Sequence, residues 1–201
     1  VSTREEWLNA AAADILSRYR EVFEDQFGKV GIEHLRNVKV STGFPSRGGL
    51  TKVIGECWAS RAAEDEVTHH IFINPRLTDV VEVVATLAHE MVHAADDGEN
   101  KHKGPFTKAV RGLGLEGKPT ATFAGAAFGE YARGIDARIG TYPHVGLVPV
   151  SATKKQSTRM LKLEAECCGY IARTTKKWIE IGLPSCPCGN EFPRPAGLDE
   201  E

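Results

Sequence analysis

His89-Glu90-Met91-Val92-His93 is the stretch of the 201-residue chain best suited to chemistry. Residues four apart share one face of an α-helix, so the two imidazoles of an H-E-x-x-H can reach a single metal ion. Glu90 projects about 100° away from His89, where its carboxylate can touch water on the ion without becoming a ligand. Zinc suits this set, because it binds imidazole and tolerates an open fourth position. Water on such an ion loses a proton near neutral pH. Glu90 is placed to accept that proton and to pass it later to a leaving amine. Burying His, Glu and His unpaired in the apolar half of a helix would cost several kcal/mol, which argues for a working set over a packing accident. The motif fixes the water chemistry and leaves the bond attacked open, so a hydrolase of non-peptide bonds is a further reading.

A catalytic zinc of this kind takes a third protein ligand. His102 is the first choice, thirteen residues after His89 in a loop that can fold back. Asp96, Asp97 and Glu99 near the helix end are rivals, and so is Glu116 if the ligand comes from a later element. The metzincin pattern requires Gly at position 96 and His at position 99; Asp96 and Glu99 stand there instead, so the chain is not a metzincin.

The motif falls in a well-marked helix over about 80–96. Asn74-Pro75 closes the preceding strand, Asp79 with Glu82 forms a capping-box variant, and Val80, Val83, Val84, Leu87, Ala88, Met91 and Val92 make a broad apolar face. Gly98 is a natural stop. Upstream, Trp7, Leu8, Ala11, Ile15, Tyr19, Val22, Phe23 and Phe27 predict an amphipathic helix over 4–27 that ends at Gly28. Three short runs, Val38–Thr42, Val53–Ala59 and His69–Ile73, read as strands between turn-rich segments. Strands with helices around them indicate an α+β architecture. Cys57 reads as a buried structural thiol, and His69 and His70 as ordinary strand positions. Downstream come a loop over 101–107, a short helix near 106–113, a Gly-, Pro- and Thr-rich stretch over 114–124, a helix near 125–139 and a linker from Tyr142 to Thr153.

Hydrophobic residues at 41% and charged residues at 26% support a packed core and exclude wholesale disorder. No run of about 18 apolar residues is present, which speaks against a membrane span, and the polar N-terminus lacks a secretory apolar segment. Of five cysteines, Cys57 stands alone while Cys167, Cys168, Cys186 and Cys188 crowd the C-terminus. That distribution fits a reducing, cytoplasmic setting and a local metal site better than a disulfide framework. The net charge of −2 hides a basic stretch over 154–177 carrying +5. Its Lys154, Lys155, Arg159, Lys162, Arg173, Lys176 and Lys177, with Tyr170 and Trp178, could hold phosphates and stack on bases.

His89–His93 followed by Lys101-His102-Lys103-Gly104-Pro105-Phe106 resembles the SprT-like, Spartan-related zinc metallopeptidases. In that family an H-E-x-x-H helix is followed, after a short loop, by a His-Gly-x-x-Phe-like segment; here Lys103 separates the His from the Gly. Gly55-Glu56-Cys57-Trp58 and His70-Ile71-Phe72-Ile73-Asn74-Pro75 resemble the strands leading into the family's helix. The resemblance spans about 1–140 by order of elements and is specific at 89–106. It implies a zincin-like core over 1–150, a three-stranded sheet packed on helices, with one catalytic zinc on His89, His93 and His102. It also implies Glu90 as the catalytic base and, as in the best-studied members, proteolysis of proteins bound to DNA.

A second resemblance lies over 151–201, a basic linker and zinc-ribbon-like tail. Phage and actinobacterial members are similar from Tyr142-Pro143-His144 onward, and append Cys-x-x-Cys-Gly-Tyr, a β-hairpin and a second Cys knuckle. Cys168-Gly169-Tyr170 and Cys186-Pro187-Cys188-Gly189 fit this pattern, with Trp178 in the hairpin. The chain departs from it twice: the expected first Cys falls on Ala165, with Cys167 beside Cys168, and the second knuckle is Cys-x-Cys. The four thiolates Cys167, Cys168, Cys186 and Cys188 still number what a second, structural zinc requires. The metal-free alternative is a hairpin packed around Tyr170, Ile171, Trp178 and Ile179. The expectation is a zinc endopeptidase with a protein substrate, DNA as a partner of the basic tail, and no membrane. The alternative is a nucleic-acid-binding zinc-ribbon protein with an inactive peptidase core.

Overall fold

The computed structural model describes residues 3–46, 52–148 and 160–195. They belong to two compact units, Val1–Pro149 and Val150–Glu201.

The first unit opens with α1 (Arg4–Arg36), started by a capping box in which Thr3 accepts from the Glu6 amide and Glu6 accepts from the Thr3 amide. Trp7, Leu8, Ala11, Ile15 and Phe23 face the core as their spacing predicts. The helix does not finish at Gly28. That residue (φ 65°, ψ −164°) breaks helical geometry, and the chain then resumes to Arg36, burying Ile32 and Leu35. Only glycine takes this backbone cheaply, and the break re-phases a second apolar set that a single period would miss.

Strands β1 (Val38–Thr42), β2 (Gly55–Trp58) and β3 (His69–Ile73) form one mixed sheet in the order β1-β3-β2. β1 runs parallel to β3, from Val38↔His69 to Thr42↔Ile73; β2 runs antiparallel, from Gly55↔Ile73 to Trp58↔His70. The β1 edge is partly covered from α1. Asn9 Nδ2 donates to the Val40 carbonyl (2.8 Å), and the Val40 amide donates back to Asn9 Oδ1 (3.1 Å).

Helix α2 (Val80–Ala95) carries the motif. Asp79 caps it by accepting from the Glu82 amide at 2.9 Å. The helix is buried on most sides and packs against α1, β2, β3 and the elements that follow. Next come α3 (Pro105–Gly112), β4 (Leu115–Lys118), β5 (Ala121–Ala124), α4 (Ala126–Arg133) and α5 (Ile135–Ile139). The Gly-, Pro- and Thr-rich stretch over 114–124, to which the sequence assigns no element, is an antiparallel hairpin, registered from Leu115↔Ala124 to Lys118↔Ala121. Its strands are short and their Gly and Thr content disguises them. The expected helix over 125–139 is two helices meeting at Gly134. Tyr131 and Arg138 donate to the Asp14 carboxylate at 2.6 Å and 2.9 Å, tying these helices to α1.

The second unit holds β6 (Leu161–Glu164) and β7 (Ile171–Thr174), paired antiparallel, then α6 (Lys176–Ile181). Its small core is Leu163, Ala165, Ile179, Cys186 and Phe192. Trp178 lies on α6 and not in the hairpin. Tyr170, Ile171 and Trp178 are exposed, so of the four side chains expected to pack this unit only Ile179 does. Among the described residues no helix is long and apolar enough to cross a membrane.

Candidate metal centres

Helix α2 sets His89 and His93 one turn apart, and the loop after it returns His102 to the same point. One ligand nitrogen from each of the three lies within 4.8 Å of the others. The Nε2 atoms of His93 and His102 are 3.1 Å apart. Zn–N bonds of about 2.0–2.1 Å in a tetrahedron imply nitrogen edges of about 3.4 Å, so the donor set fits such an ion. Phe106 of α3, fully buried, backs all three rings at centroid distances of 5.2, 4.4 and 4.9 Å for His89, His93 and His102. Burial pushes His89 down to about 4. It pushes His93 down to about 3, helped by the neighbouring imidazoles, and lowers His102 as well. All three are neutral at pH 7, the form that binds metal.

The carboxylates weighed against His102 have other work. Asp96 accepts from Asn100 twice, from the amide at 2.7 Å and from Nδ2 at 2.6 Å. Asp97, in the left-handed region (φ 47°), accepts from the Ser60 amide (2.9 Å) and hydroxyl (3.1 Å), and its Oδ1 lies 2.9 Å from His69 Nε2. Arg61 donates to the Asp97 carbonyl. These bonds pin the start of the loop that carries His102, and Thr107 Oγ1 holds the His102 carbonyl at 3.0 Å. Glu99 and Glu116 stand outside the cluster. His69 is wholly buried beside Asp97, whereas His70 faces solvent.

A cleft of about 680 Å³ opens over the three imidazoles, walled by the β2 strand on one side and by Thr120–Phe123 of the hairpin on the other. Ile54 accepts from the Asn74 amide. Antiparallel alternation then turns the backbone groups of Gly55 and Cys57 away from β3, and the Cys57 amide bonds the Glu90 carboxylate. Burial pushes Glu90 up to about 8, the Glu56 charge adds to the rise, and the Cys57 amide opposes it. Glu56 itself accepts from the amide and hydroxyl of Ser46. Gly55 is required here. A Cβ on it would stand 2.6 Å from Thr86 Cγ2, 2.7 Å from Glu90 Oε1 and 2.9 Å from Glu90 Cγ. The half-buried Cys57 also lines the cleft, and burial with the nearby Glu90 charge pushes its thiol far above the ordinary range, which makes it a poor nucleophile.

Three contributors escape the motif. Thr122 places Oγ1 2.8 Å from His89 Nδ1, but the sequence assigns its segment no element. Asp97 reads as a rival ligand and works as an anchor. Gly55 reads as a strand residue, and its close approach to Glu90 needs tertiary structure to appear.

In the second unit the sulfurs of Cys167, Cys168, Cys186 and Cys188 lie within 4.8 Å of one another, all as free thiols. The Cys167–Cys168 and Cys167–Cys186 separations are 3.7 and 3.3 Å. A tetrahedral zinc with Zn–S near 2.3 Å has sulfur edges of about 3.8 Å, which the set can meet. Two turns build it. The Gly169 amide (φ 69°) donates to the Ala165 carbonyl, and the Gly189 amide (φ 85°) donates to the Cys186 carbonyl, each at 2.8 Å. Ala165, where the pattern expects a Cys, is a core residue, and the adjacent Cys167 and Cys168 supply both sulfurs of the first turn. Burial would raise Cys186, but the Cys167 thiol and the amides of Asn190 and Cys188 outweigh it and bring the thiol down to about 7.

Of the basic residues, Lys162 and Arg173 pair across the hairpin and Lys162 also meets Glu164. Lys176 and Lys177 begin α6, with Lys177 Nζ 5.2 Å from the Trp178 ring centroid. Lys154, Lys155 and Arg159 lie outside the described residues. No protein-family model, curated protein or solved structure matches the chain.

Proposed function

We propose that the chain is a zinc-dependent endopeptidase of the SprT-like kind, working in a reducing, cytoplasmic setting on proteins, including proteins held on DNA. The observation that carries this reading is the meeting of three neutral imidazoles at a cleft wall where a buried carboxylate, Glu90, is held against an edge strand. Zinc held by His89, His93 and His102 would supply Lewis acidity, polarising a carbonyl and acidifying water. Glu90 is the group that takes a proton and returns it to the leaving nitrogen. The Cys57 amide orients it. The outward backbone groups of β2 other than the Cys57 amide offer an extended substrate main chain the hydrogen bonds of strand addition.

In the second unit a structural zinc on the four cysteines would stiffen two short turns, and the basic side chains with exposed Tyr170 and Trp178 suit single-stranded nucleic acid. That exposed pair also favours the second reading, a nucleic-acid-binding ribbon with a silent peptidase core. Cleavage of an unstructured protein, with and without single-stranded DNA, separates the two. Glu90→Gln should keep zinc and lose about 10²–10⁴-fold in cleavage. Undiminished turnover rejects the general-base role, and DNA binding without metal-dependent cleavage in the parent favours the second reading.

A further inference from the structure

His89 has two ring nitrogens and only one can face an ion. Its Nδ1 lies 2.8 Å from Thr122 Oγ1, which leaves Nε2 as the donor on the cluster side. For Nε2 to offer a lone pair, the neutral ring must carry its proton on Nδ1, and that proton needs an acceptor. The threonine oxygen provides one. Among the described residues that nitrogen has no other hydrogen-bond partner.

Thr122 is itself held. It stands opposite Gly117 in the hairpin register. The Gly117 and Leu115 carbonyls of the partner strand both accept from the Arg111 guanidinium of α3. The helix that supplies Phe106 beneath the three rings thus also braces the strand paired with that of Thr122.

Resting on the metalloenzyme reading above, we propose that Thr122 is a positioning residue of the metal centre: its hydroxyl accepts the Nδ1 proton of His89 and locks the ring in the tautomer and orientation that present Nε2. Partners of this kind on metal-bound imidazoles typically change metal affinity by about 10–100-fold when removed.

The test uses the full chain with Thr122→Val, which keeps the shape and removes the hydroxyl, and Thr122→Ser, which keeps the hydroxyl. Zinc affinity is read by competition with a chromophoric chelator. Cobalt substitution then separates the two centres, because only a thiolate site gives sulfur-to-metal charge-transfer bands. The expected result is a loss of about 10–100-fold in affinity for the valine variant at the imidazole site, with an altered cobalt ligand-field spectrum there. The serine variant should return both to within a few-fold of the parent. Equal affinity and an unchanged cobalt spectrum in Thr122→Val, in a parent that binds metal, overturn the role of Thr122 alone. A parent whose imidazole site takes neither metal overturns the metal reading and this inference with it. Circular dichroism of the metal-free variants identifies misfolding, in which case failure of Thr122→Ser to restore binding also counts against the hydroxyl.

Discussion

Gly55→Ala is a sharp test of how the edge strand and the motif helix are fitted together. The added methyl would lie 2.6 Å from Thr86 Cγ2 and 2.7–2.9 Å from Glu90 Oε1 and Cγ. Carbon contacts are comfortable near 3.5–4.0 Å, so the overlap is about 1 Å on the Glu90 side. Thr86 and Glu90 sit on a helix buried on most sides, so relief must come from rotating the Glu90 carboxylate or displacing β2. Overpacking of this kind costs about 1–3 kcal/mol of stability. A catalytic group moved by about 1 Å loses about 10²-fold in rate. The three atoms nearest the added methyl belong to Thr86 and Glu90 and not to the imidazoles, so zinc affinity should stay within a few-fold of the parent. The assay pairs kcat/KM on an unstructured protein with urea unfolding and chelator competition. A variant with parent-like turnover and stability would refute the close fit of Gly55 to Glu90. A variant that loses zinc along with turnover would refute the separation of the carboxylate from the ligands.

Two further perturbations address the supports of the site. Asp97→Ala removes the acceptor of two Ser60 bonds and the partner of wholly buried His69. It should cost about 1–3 kcal/mol in urea unfolding and weaken zinc binding by loosening the start of the His102 loop; unchanged affinity would show that the loop holds itself. Burial would raise the Asp14 carboxyl, but hydrogen bonds from Arg138 and Tyr131 outweigh it and hold it below the ordinary range. That stabilisation is present above the unfolded Asp value of about 3.9 and is lost as pH falls through the lower folded value. Thermal midpoints across that acid window should therefore fall more steeply for the parent than for Asp14→Asn, and parallel profiles would count against the linkage.

The parts of the fold that announce themselves do so by periodicity. Val38–Thr42 and His69–Ile73 alternate, and α2 combines a cap at Asp79 with a continuous apolar face, so their bounds appear in the sequence nearly as in the structure. The β4–β5 hairpin does not, because strands of four residues with Gly117 and Thr122 among them carry no usable period. With it goes Thr122, whose meaning depends on a contact spanning thirty-three residues of chain. Gly28 is legible as a helix breaker, but the resumption to Arg36 depends on burying Ile32 and Leu35 against the assembled core. Trp178 misleads in the opposite sense. A large aromatic suggests a core residue, yet α6 turns Ile179 inward and leaves Trp178 in solvent. The motif ligands are legible because helix geometry alone joins His89 to His93, whereas His102 needs a loop pinned by Asp96 and Asp97.

Three imidazoles sharing one ion are the premise of the zinc chemistry, and metal counting by native mass spectrometry tests that sharing. The parent full chain should carry two zinc ions, His93→Ala one and Cys186→Ser one, each variant losing the ion of its own unit. A parent with no zinc, or a His93→Ala variant that keeps as much zinc as the parent, would contradict the sharing of one ion by His89, His93 and His102.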